Sequence, residues 1–290
     1  MESIKMMHLG IRKGEVGRYV FLPGSPERSE KISKYLENPI EIAYNREFLT
    51  FTGTLEGVQV SVTSTGIGGP STAIAVEELY QCGADTMIRV GTCASVSEDF
   101  HKGDLIIPNG AVRMEGVGRH YLPTEFPAVP DFETTRILEE AAIRLNYVYK
   151  VGITITKAGF FTQTSPATKP IGPELIQKWA AYRAGGALAT SMECAPLFLV
   201  GASLGIRTGA VLVSATNDAS YSGDVKDYPY GFEHLAIETG IEAMRMMILR
   251  DREAGNLQRT QRVSVGFSTP PPKRRKNSAA PISAQQTTVR

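Results

Sequence analysis

The chain has 290 residues, of which 42% are hydrophobic and 21% are charged, and its formal net charge is +1 at pH 7. These are the proportions of an ordinary globular protein, so the composition excludes collagen-like, low-complexity and wholly disordered classes. The length allows one large α/β domain or two small ones, with a sizeable core in either case.

Strand-like and helix-like segments alternate along the chain, as judged from apolar runs and from three-to-four spacing of apolar residues. A helix begins at Pro26 after the capping residue Ser25 or Gly24, and Asn38-Pro39 ends it. In chain order we predict strand 19–22, the helix from residue 26, strands 48–54 and 58–65, a helix after the turn at 66–69, strands 86–90 and 104–111, helix 132–145, strand 151–156, helix 194–204, strand 208–215 and helix 232–249. This alternation predicts one mixed sheet covered by helices on both faces.

The regular pattern ends near Arg250, so we predict a folded domain over residues 1–250 and a disordered basic tail over residues 251–290. The tail carries eight Lys and Arg residues against two acidic ones, which gives it +6 and leaves −5 on the body. A body of that charge argues against nucleic-acid binding. The tail cannot bury enough apolar surface to offset its ordering entropy. Its run Lys273 to Lys276 would suit nuclear import, but a solvated charged tail is the favoured interpretation.

The cysteines predict the compartment. Cys82, Cys93 and Cys194 are odd in number and have no close pairing, which is typical of a reducing, cytoplasmic environment. No apolar core follows the first residues, so no secretory signal is expected. The longest apolar stretch, residues 195–215, is interrupted by Arg207 and by glycines, and we expect a buried helix and strand there rather than a membrane span.

The most informative local feature is the glycine-rich turn at residues 64–72, which reads STGIGGPST. It lies between a predicted strand and an apolar helix, with Pro70 at a favourable early helical position. Its glycines allow positive φ and a close approach to a bound group. The spacing fits neither the dinucleotide fingerprint nor a P-loop, so alone the turn is equally compatible with a tight connection.

Other motifs accompany this turn: FLPGSPER at 21–28, NREF at 45–48, IRVGT at 88–92, EFPAV at 125–129 and SMECA at 191–195. Together, from about residue 8 to about residue 250, they resemble the uridine phosphorylases of the nucleoside phosphorylase superfamily. The resemblance implies a single-domain, three-layer α/β fold with a mixed central sheet. It also implies a pentosyltransferase that cleaves a nucleoside reversibly, with inorganic phosphate as co-substrate and no organic cofactor, to a free base and ribose 1-phosphate.

Phosphorolysis needs an oriented phosphate dianion, which arginines, backbone N–H groups and a hydroxyl suit. Gly24 lies at a helix start that favours anions, and Arg28 lies one turn further. Arg89 interrupts an apolar strand, and a buried arginine needs an anion. The resemblance assigns phosphate binding to Gly24, Arg28, Arg89 and Thr92, and to Arg46 from a neighbouring subunit; Arg89 is also expected to act in catalysis.

Met192 and Glu193 follow an alanine-rich strand. A carboxylate at a strand end can accept hydrogen bonds from both ribose hydroxyls and so favour an oxocarbenium-like sugar, which makes Glu193 a predicted catalytic residue. The alternative is that Glu193 only caps the following helix. The resemblance assigns nucleoside contacts to Met192, Glu193 and Thr92, and a contact with the 5′-hydroxyl to His8 of a neighbouring subunit.

The predicted base site differs from the pattern found in the pyrimidine-specific members of the family. Pyrimidine enzymes carry a Gln-X-Arg element after an aromatic pair, but here Thr164 and Pro166 stand at those two positions. Lys169 is the nearest candidate for the missing cation. The residues expected to contact the base are Phe160, Phe161 and Gln163.

A second departure concerns Asp218, which stands where purine enzymes carry an acid. A purine leaving group requires protonation at N7, so Asp218 is a predicted catalytic acid, unless it is only a turn residue. Ser191 also replaces a glutamate found in many members. The whole pattern favours uridine. The alternatives are a purine nucleoside or relaxed specificity, a nucleoside-binding paralogue with weakened catalysis, and a nucleosidase that uses water.

Residues lent by a neighbour imply a homo-oligomer, either a dimer or a hexamer built as a trimer of dimers. In bacterial relatives the glutamate matching Glu47, with groups at Ile67 and Ser71, binds a monovalent cation between subunits. An oxygen-only site suits a hard cation, and K⁺ is a candidate for the monovalent ion that the resemblance implies. We expect small-molecule substrates, and neither a membrane nor a nucleic acid as partner of the folded body.

Overall fold

The computed structural model describes residues 4–216 and 230–255. Within these ranges the strands are Tyr19–Pro23 (β1), Glu37–Asn45 (β2), Phe48–Leu55 (β3), Val58–Thr63 (β4), Thr86–Ser95 (β5), Leu105–Met114 (β6), Tyr149–Lys157 (β7), Ala189–Ser191 (β8) and Arg207–Ser214 (β9). The helices are Pro26–Ser33 (α1), Gly69–Gln81 (α2), Phe132–Arg144 (α3), Phe161–Thr164 (α4), Gly172–Ala184 (α5), Cys194–Leu204 (α6) and Glu233–Glu253 (α7). In these ranges no helix is long and apolar enough to cross a membrane.

The strands form one mixed sheet in the order β2-β3-β4-β1-β5-β8-β7-β6-β9. β5 is the branching strand. It pairs in parallel with β1 and with β9, and its last two residues pair antiparallel with β8. Strands β5, β8, β7, β6 and β9 therefore close into a ring, from which the remaining strands extend. The predicted mixed α/β architecture is confirmed.

Alternate residues of the central strands face two separate layers of helices. In β1, Tyr19 and Phe21 belong to a core cluster with side chains of α1, α3 and α7, whereas Val20 and Leu22 belong to a second cluster with α2 and α6. All four side chains are buried. The sheet is thus covered on both faces, as the alternation of elements predicts, and burial on both sides stabilises its central strands.

The parallel strands β4, β1, β5 and β9 end at one edge of the sheet. In α/β proteins the loops beyond the carboxyl ends of parallel strands form the ligand edge. Gly24 follows β1 directly, the glycine-rich turn follows β4, and Thr216 lies just after β9. At the start of α1 the predicted cap is present, because Ser25 Oγ accepts a hydrogen bond from the backbone N–H of Arg28 at 3.4 Å.

Two elements do not follow from apolar periodicity. β2 is exposed or half-buried along its whole length and bends at Asn38, whose φ is 48°, so its pairing with β3 defines it. α5 buries only Leu175 and Trp179 among its larger side chains, so the sequence shows no apolar stripe there. In addition, α1 ends at Ser33, before the predicted stop at Asn38, because the chain already enters β2.

Helix α7 continues past residue 250. α7 extends to Glu253, and Asp251 is buried. Asp251 accepts hydrogen bonds from Tyr19 Oη at 2.7 Å and from Arg207 Nη1 at 2.9 Å. Burial acts to raise the pKa of Asp251, but the bonds from Arg207 and Tyr19 lower it overall. The first residues after the predicted boundary therefore belong to the folded domain, and residues 256–290 lie outside the described ranges.

Candidate active site

A cavity of about 250 Å³ lies at the ligand edge of the sheet. Its walls come from the loops after β1 and β4, from β5, from the ends of β7 and β8, and from α4. The lining residues are Gly24, Ser25, Arg28, Gly66, Ile67, Arg89, Thr92, Cys93, Ala94, Lys157, Phe160, Gln163, Thr164, Thr190, Ser191, Met192, Glu193 and Thr216. Most of the residues proposed from the sequence are therefore brought together here, although they are widely separated along the chain.

Two buried arginines meet at one end of this cavity, which we call the arginine end (Gly24, Arg28, Arg89 and Thr92). A Cβ atom built onto Gly24 would lie 3.9 Å from Arg28 Nη1 and 3.9 Å from Arg89 Nη2. Arg28 is 8% exposed and Arg89 is 4% exposed. Both guanidinium groups thus converge beside the start of α1, where backbone N–H groups and the helix dipole already favour an anion.

Arg28 is held by Glu233 at the start of α7. Arg28 Nη2 donates to one carboxylate oxygen of Glu233, and Lys31 Nζ donates to the other at 2.7 Å. Burial acts to raise the pKa of Glu233, but the bonds from Lys31 and Arg28 lower it overall, which keeps the carboxylate charged. Sequence reasoning missed Glu233, because 205 positions separate it from Arg28 and no motif links them.

Arg89 forms a buried ion pair with Glu193, in which Nη2 lies 2.5 Å from Oε2. Within the described ranges, Nε and Nη1 of Arg89 and Nε of Arg28 are buried and have no hydrogen-bond partner. Buried donors are costly to leave unsatisfied. The arginine end therefore offers spare cationic donors to a bound anion.

The glycine-rich turn positions Glu193. Gly66 and Gly68 have φ angles of 69° and 89°, a region that favours glycine. The N–H of Gly68 donates to Glu193 Oε1 at 2.9 Å, and the N–H of Met192 donates to Oε2 at 3.1 Å. Glu193 is also the N-cap residue of α6, but its side chain makes no capping hydrogen bond to that helix. The turn thus orients a carboxylate as well as connecting β4 to α2.

A second part of the cavity, the aromatic end (Lys157, Phe160, Gln163 and Thr190), is more open. Phe160 is 46% exposed, and its ring meets that of Phe161 edge to face with centroids 5.4 Å apart. Gln163 is buried in the wall next to Thr164. Phe161, itself 67% exposed, and Lys169 do not line this cavity. Lys169, the cation that the sequence suggested for the base site, is therefore not part of the described cavity wall.

A different lysine lies at the aromatic end. Lys157, the last residue of β7, is 4% exposed, and its Nζ donates to Thr190 Oγ1 at 3.1 Å. Nζ also lies 5.6 Å from the centroid of the Phe160 ring. Burial lowers the pKa of Lys157 to about 8, although Glu193 and Cys93 act to raise it. Sequence reasoning missed this residue; the available signal was a lysine closing an otherwise buried strand, since lysine is rarely buried.

His8 and Arg46 lie outside this chain's own cavity. His8 Nδ1 is 2.6 Å from Glu78 Oε1, and the backbone N–H of His8 also donates to Glu78. Arg46 is exposed at the turn between β2 and β3, with a φ of 55°. The neighbouring Asn45 donates from Nδ2 to the carbonyl of His8 at 2.6 Å. The two residues assigned to a neighbour's site therefore lie in the same region of the molecule.

The predicted cation ligands gather around the glycine-rich turn. A Cβ atom on Gly66 would lie 2.6 Å from Glu47 Cγ, so the Glu47 side chain rests against this turn. Ser71 Oγ donates to the carbonyl of Ile67 at 3.2 Å. In the described part of the chain no cluster of three His, Cys, Asp or Glu residues could hold a metal. A carboxylate, a carbonyl and a hydroxyl nevertheless form an oxygen donor set of the kind that a hard cation takes.

Two further predicted positions have different outcomes. Asp218 lies outside the described residues. Ser191 lines the cavity, and its Oγ lies 3.5 Å from Cys194 Sγ. Thr216, which was not singled out from the sequence, also lines the cavity, and its Oγ1 is buried without a partner among the described residues.

Comparison with known proteins identifies the family. Residues 18–245 match the model of the phosphorylase superfamily. The chain is 44% identical to the uridine phosphorylase of Treponema pallidum over 244 residues, which cover 84% of this chain and 95% of the relative. It is 43% identical to that of Thermococcus kodakarensis over 212 residues (72% and 76%), and 34% identical to that of Escherichia coli over 256 residues (86% and 100%). The fold and the relatives agree with the resemblance read from the motifs, and the chain belongs to the phosphorylase superfamily.

Proposed function

We propose that this protein is a uridine phosphorylase, which cleaves uridine with inorganic phosphate to uracil and ribose 1-phosphate in a reversible reaction. The relatives named above support this choice of nucleoside. The observation that carries the proposal is the arginine end, where two buried guanidinium groups with spare donors meet at a helix start. A phosphate dianion satisfies those donors, whereas water, the nucleophile of a nucleosidase, does not need them.

The ion pair between Arg89 and Glu193 connects the phosphate subsite to the sugar subsite. Arg89 holds the phosphate through its free donors and pairs with Glu193 through Nη2. Glu193 accepts hydrogen bonds from the ribose hydroxyls, and Met192 packs beside the sugar. As the glycosidic bond lengthens, positive charge develops on the sugar between a carboxylate and the bound dianion, which stabilises the transition state.

At the aromatic end, Phe160 packs on the base and the buried amide of Gln163 hydrogen-bonds to it. An amide can donate to a carbonyl oxygen and accept from a ring N–H, which suits uracil. The purine alternative rests on Asp218, a residue outside the described ranges. Uridine is the proposed substrate because the relatives named above are uridine phosphorylases.

We further propose that the enzyme is a homo-oligomer, with a dimer as its smallest active unit. His8 and Arg46 lie together outside their own cavity, and Arg46 is exposed. In a dimer they complete the partner's cavity, Arg46 at the phosphate and His8 at the 5′-hydroxyl. The oxygen donors of Glu47, Ile67 and Ser71 then lie where a monovalent cation such as K⁺ can bridge two subunits. The proposed compartment is the cytoplasm.

A turnover screen tests the proposed function. Uridine, thymidine, inosine and adenosine are incubated with the full-length protein, with and without phosphate, and the sugar product is identified. We expect uridine to be the best substrate, phosphate to be required, and ribose 1-phosphate to form. Equal rates without phosphate would indicate a nucleosidase. Preference for inosine would indicate the purine alternative, and binding without turnover would indicate the weakened paralogue.

A further inference from the structure

The buried ammonium group of Lys157 has no assigned role in the proposed reaction. It stands at the end of β7, where the strand reaches the cavity, and it is 4% exposed. Burying an unpaired charge is strongly unfavourable, so a buried lysine in a cavity wall requires a partner. The partner can be a protein group or a ligand, and the contacts of Nζ distinguish the two.

The protein groups that the structure describes around Lys157 leave it undersatisfied. An ammonium group has three donors. Among the residues that the structure describes, Nζ makes one hydrogen bond, to the neutral hydroxyl of Thr190. The nearby carboxylate of Glu193 is attractive but is already occupied by Arg89 and by two backbone N–H groups. The remaining donors are therefore available to a ligand in the cavity.

The position of Lys157 indicates which part of the ligand it meets. Nζ lies over the ring of Phe160, and Phe160 and Gln163 form the wall on which the base packs. The arginine end is supplied by other cations, Arg28 and Arg89, which converge beside Gly24. We propose that Lys157 donates a hydrogen bond to a carbonyl oxygen of the departing pyrimidine and stabilises the negative charge that develops there. This inference rests on the proposed uridine phosphorolysis.

The reaction balances with Lys157 as a charge stabiliser and not as an acid. A phosphate oxygen of hydrogen phosphate forms a bond to C1′ of the ribose. The bond from C1′ to N1 of uracil breaks, and its electron pair moves into the base, where it is shared with the carbonyl oxygens. The proton of the phosphate group finally protonates the uracil anion. The Lys157 ammonium keeps its proton throughout, because its charge is what lowers the energy of the departing anion.

The test compares Lys157→Met with Lys150→Met, a control that makes the same change at the start of the same strand and outside the cavity. In the full-length enzyme, Lys157→Met should lower kcat/KM for uridine by about 100-fold, the effect of removing one preorganised donor to a developing anion. Phosphate KM should stay within about threefold of the wild-type value. Lys150→Met should behave as wild type.

A second substrate separates charge stabilisation from a structural role. Fluorine in 5-fluorouridine withdraws electrons, so its base is a better leaving group and needs less stabilisation. Lys157→Met should therefore lose only about tenfold with 5-fluorouridine, against the larger loss with uridine. If Lys157→Met does not fold, Lys157→Gln removes the positive charge but keeps an N–H donor, so its losses should be smaller while the loss with uridine still exceeds the loss with 5-fluorouridine.

Three results would overturn the proposal for Lys157 while leaving uridine phosphorolysis intact. They are an unchanged kcat/KM for uridine, an equal loss for both nucleosides, and a raised phosphate KM with an unchanged uridine KM. The last of these would make Lys157 a phosphate ligand. Absence of phosphate-dependent uridine cleavage by the wild-type enzyme would instead contradict the proposed function itself.

Discussion

The two ends of the cavity are built differently. At the arginine end each cation is fixed by a buried carboxylate on a long helix or at a helix start: Arg28 by Glu233, and Arg89 by Glu193. At the aromatic end, Phe160 is 46% exposed and adjoins a helix of four residues, and the cation Lys157 is held by one neutral hydroxyl.

This difference matches two chemical tasks. In the proposed reaction phosphate is the same in every turnover, so a phosphate subsite at the arginine end would benefit from rigid, preorganised charge. The base must enter, lose its bond to the sugar and leave, so its subsite needs an open side and a cation with free donors. We therefore predict that substitutions at the arginine end lower kcat/KM for all substrates. The loss caused by a substitution at the aromatic end should depend on the leaving base.

The largest effect is expected for Arg89→Ala. The change removes the phosphate donors and leaves the Glu193 carboxylate buried without its partner, so kcat/KM should fall by about a thousandfold for every nucleoside cleaved. Steady-state kinetics with uridine and 5-fluorouridine measure this, and Arg18→Ala, which removes an ion pair with Asp85 away from the cavity, is the control. A loss confined to one nucleoside would contradict the proposed role of the arginine end.

Arg46→Ala should also inactivate the enzyme, by about 100-fold, if a neighbour lends this residue to the phosphate. The sharper measurement mixes inactive Arg46→Ala with inactive Arg89→Ala under conditions that exchange subunits. Mixed dimers contain one cavity with both arginines intact, so part of the activity should return. Arg46→Ala mixed with itself is the control. Full activity of an isolated wild-type monomer would disprove the shared site.

Glu233→Gln tests how rigid the arginine end must be. It weakens the charged contact with Arg28 without touching the cavity wall, so phosphate KM should rise by about tenfold, the worth of one charged hydrogen bond. The KM for uridine should change little. Glu238→Gln, on the same helix but bonded to Tyr147, is the matched control. A rise in the KM for uridine alone would contradict the proposal that the arginine end binds phosphate and the aromatic end binds the base.

The smallest effect concerns stability. Burial lowers the pKa of Lys157 to about 8, below the usual lysine value of 10.5. Between these values the unfolded chain binds more protons than the folded one, so this group makes stability rise with pH. Below pH 8 the buried charge is unfavourable by on the order of 3 kcal/mol. Lys157→Met should therefore be at least as stable as wild type at pH 7 and lose that advantage by about pH 10, as measured by urea unfolding. An equal loss of stability at both pH values would show that Lys157 supports the fold.

The sequence anticipated the arginine end better than the aromatic end, and the reasons are physical. Gly24 and Arg28 share one helix start, and Arg89 interrupts an apolar strand, so local patterns were enough to single out these residues, which the structure places in one cavity. Glu233 and Lys157 acquire theirs only through tertiary contacts, with partners far along the chain.

The same distinction applies to the elements of the fold. Strands and helices with a buried face were predictable from apolar spacing, as for β1, α3 and α7. Strand β2 depends on pairing with β3, and α5 buries few large side chains, so neither leaves a periodic signal. The fold class can be predicted from the periodicity of apolar residues. The edge strand β2 and the lightly buried helix α5 are instead determined by tertiary contacts with neighbouring elements.

The contact between Asp251 and Tyr19 has a consequence for biosynthesis. Tyr19 lies on β1 and Asp251 near the end of α7, and the carboxylate also binds Arg207. A ribosome makes β1 early, but the Tyr19 hydroxyl and the Nη groups of Arg207 meet their carboxylate acceptor only when residue 251 is available. Buried polar groups without partners disfavour the packed state. The nascent chain can therefore complete this part of its core only after α7 has emerged from the ribosome, so β1 waits for a segment made more than 200 residues later.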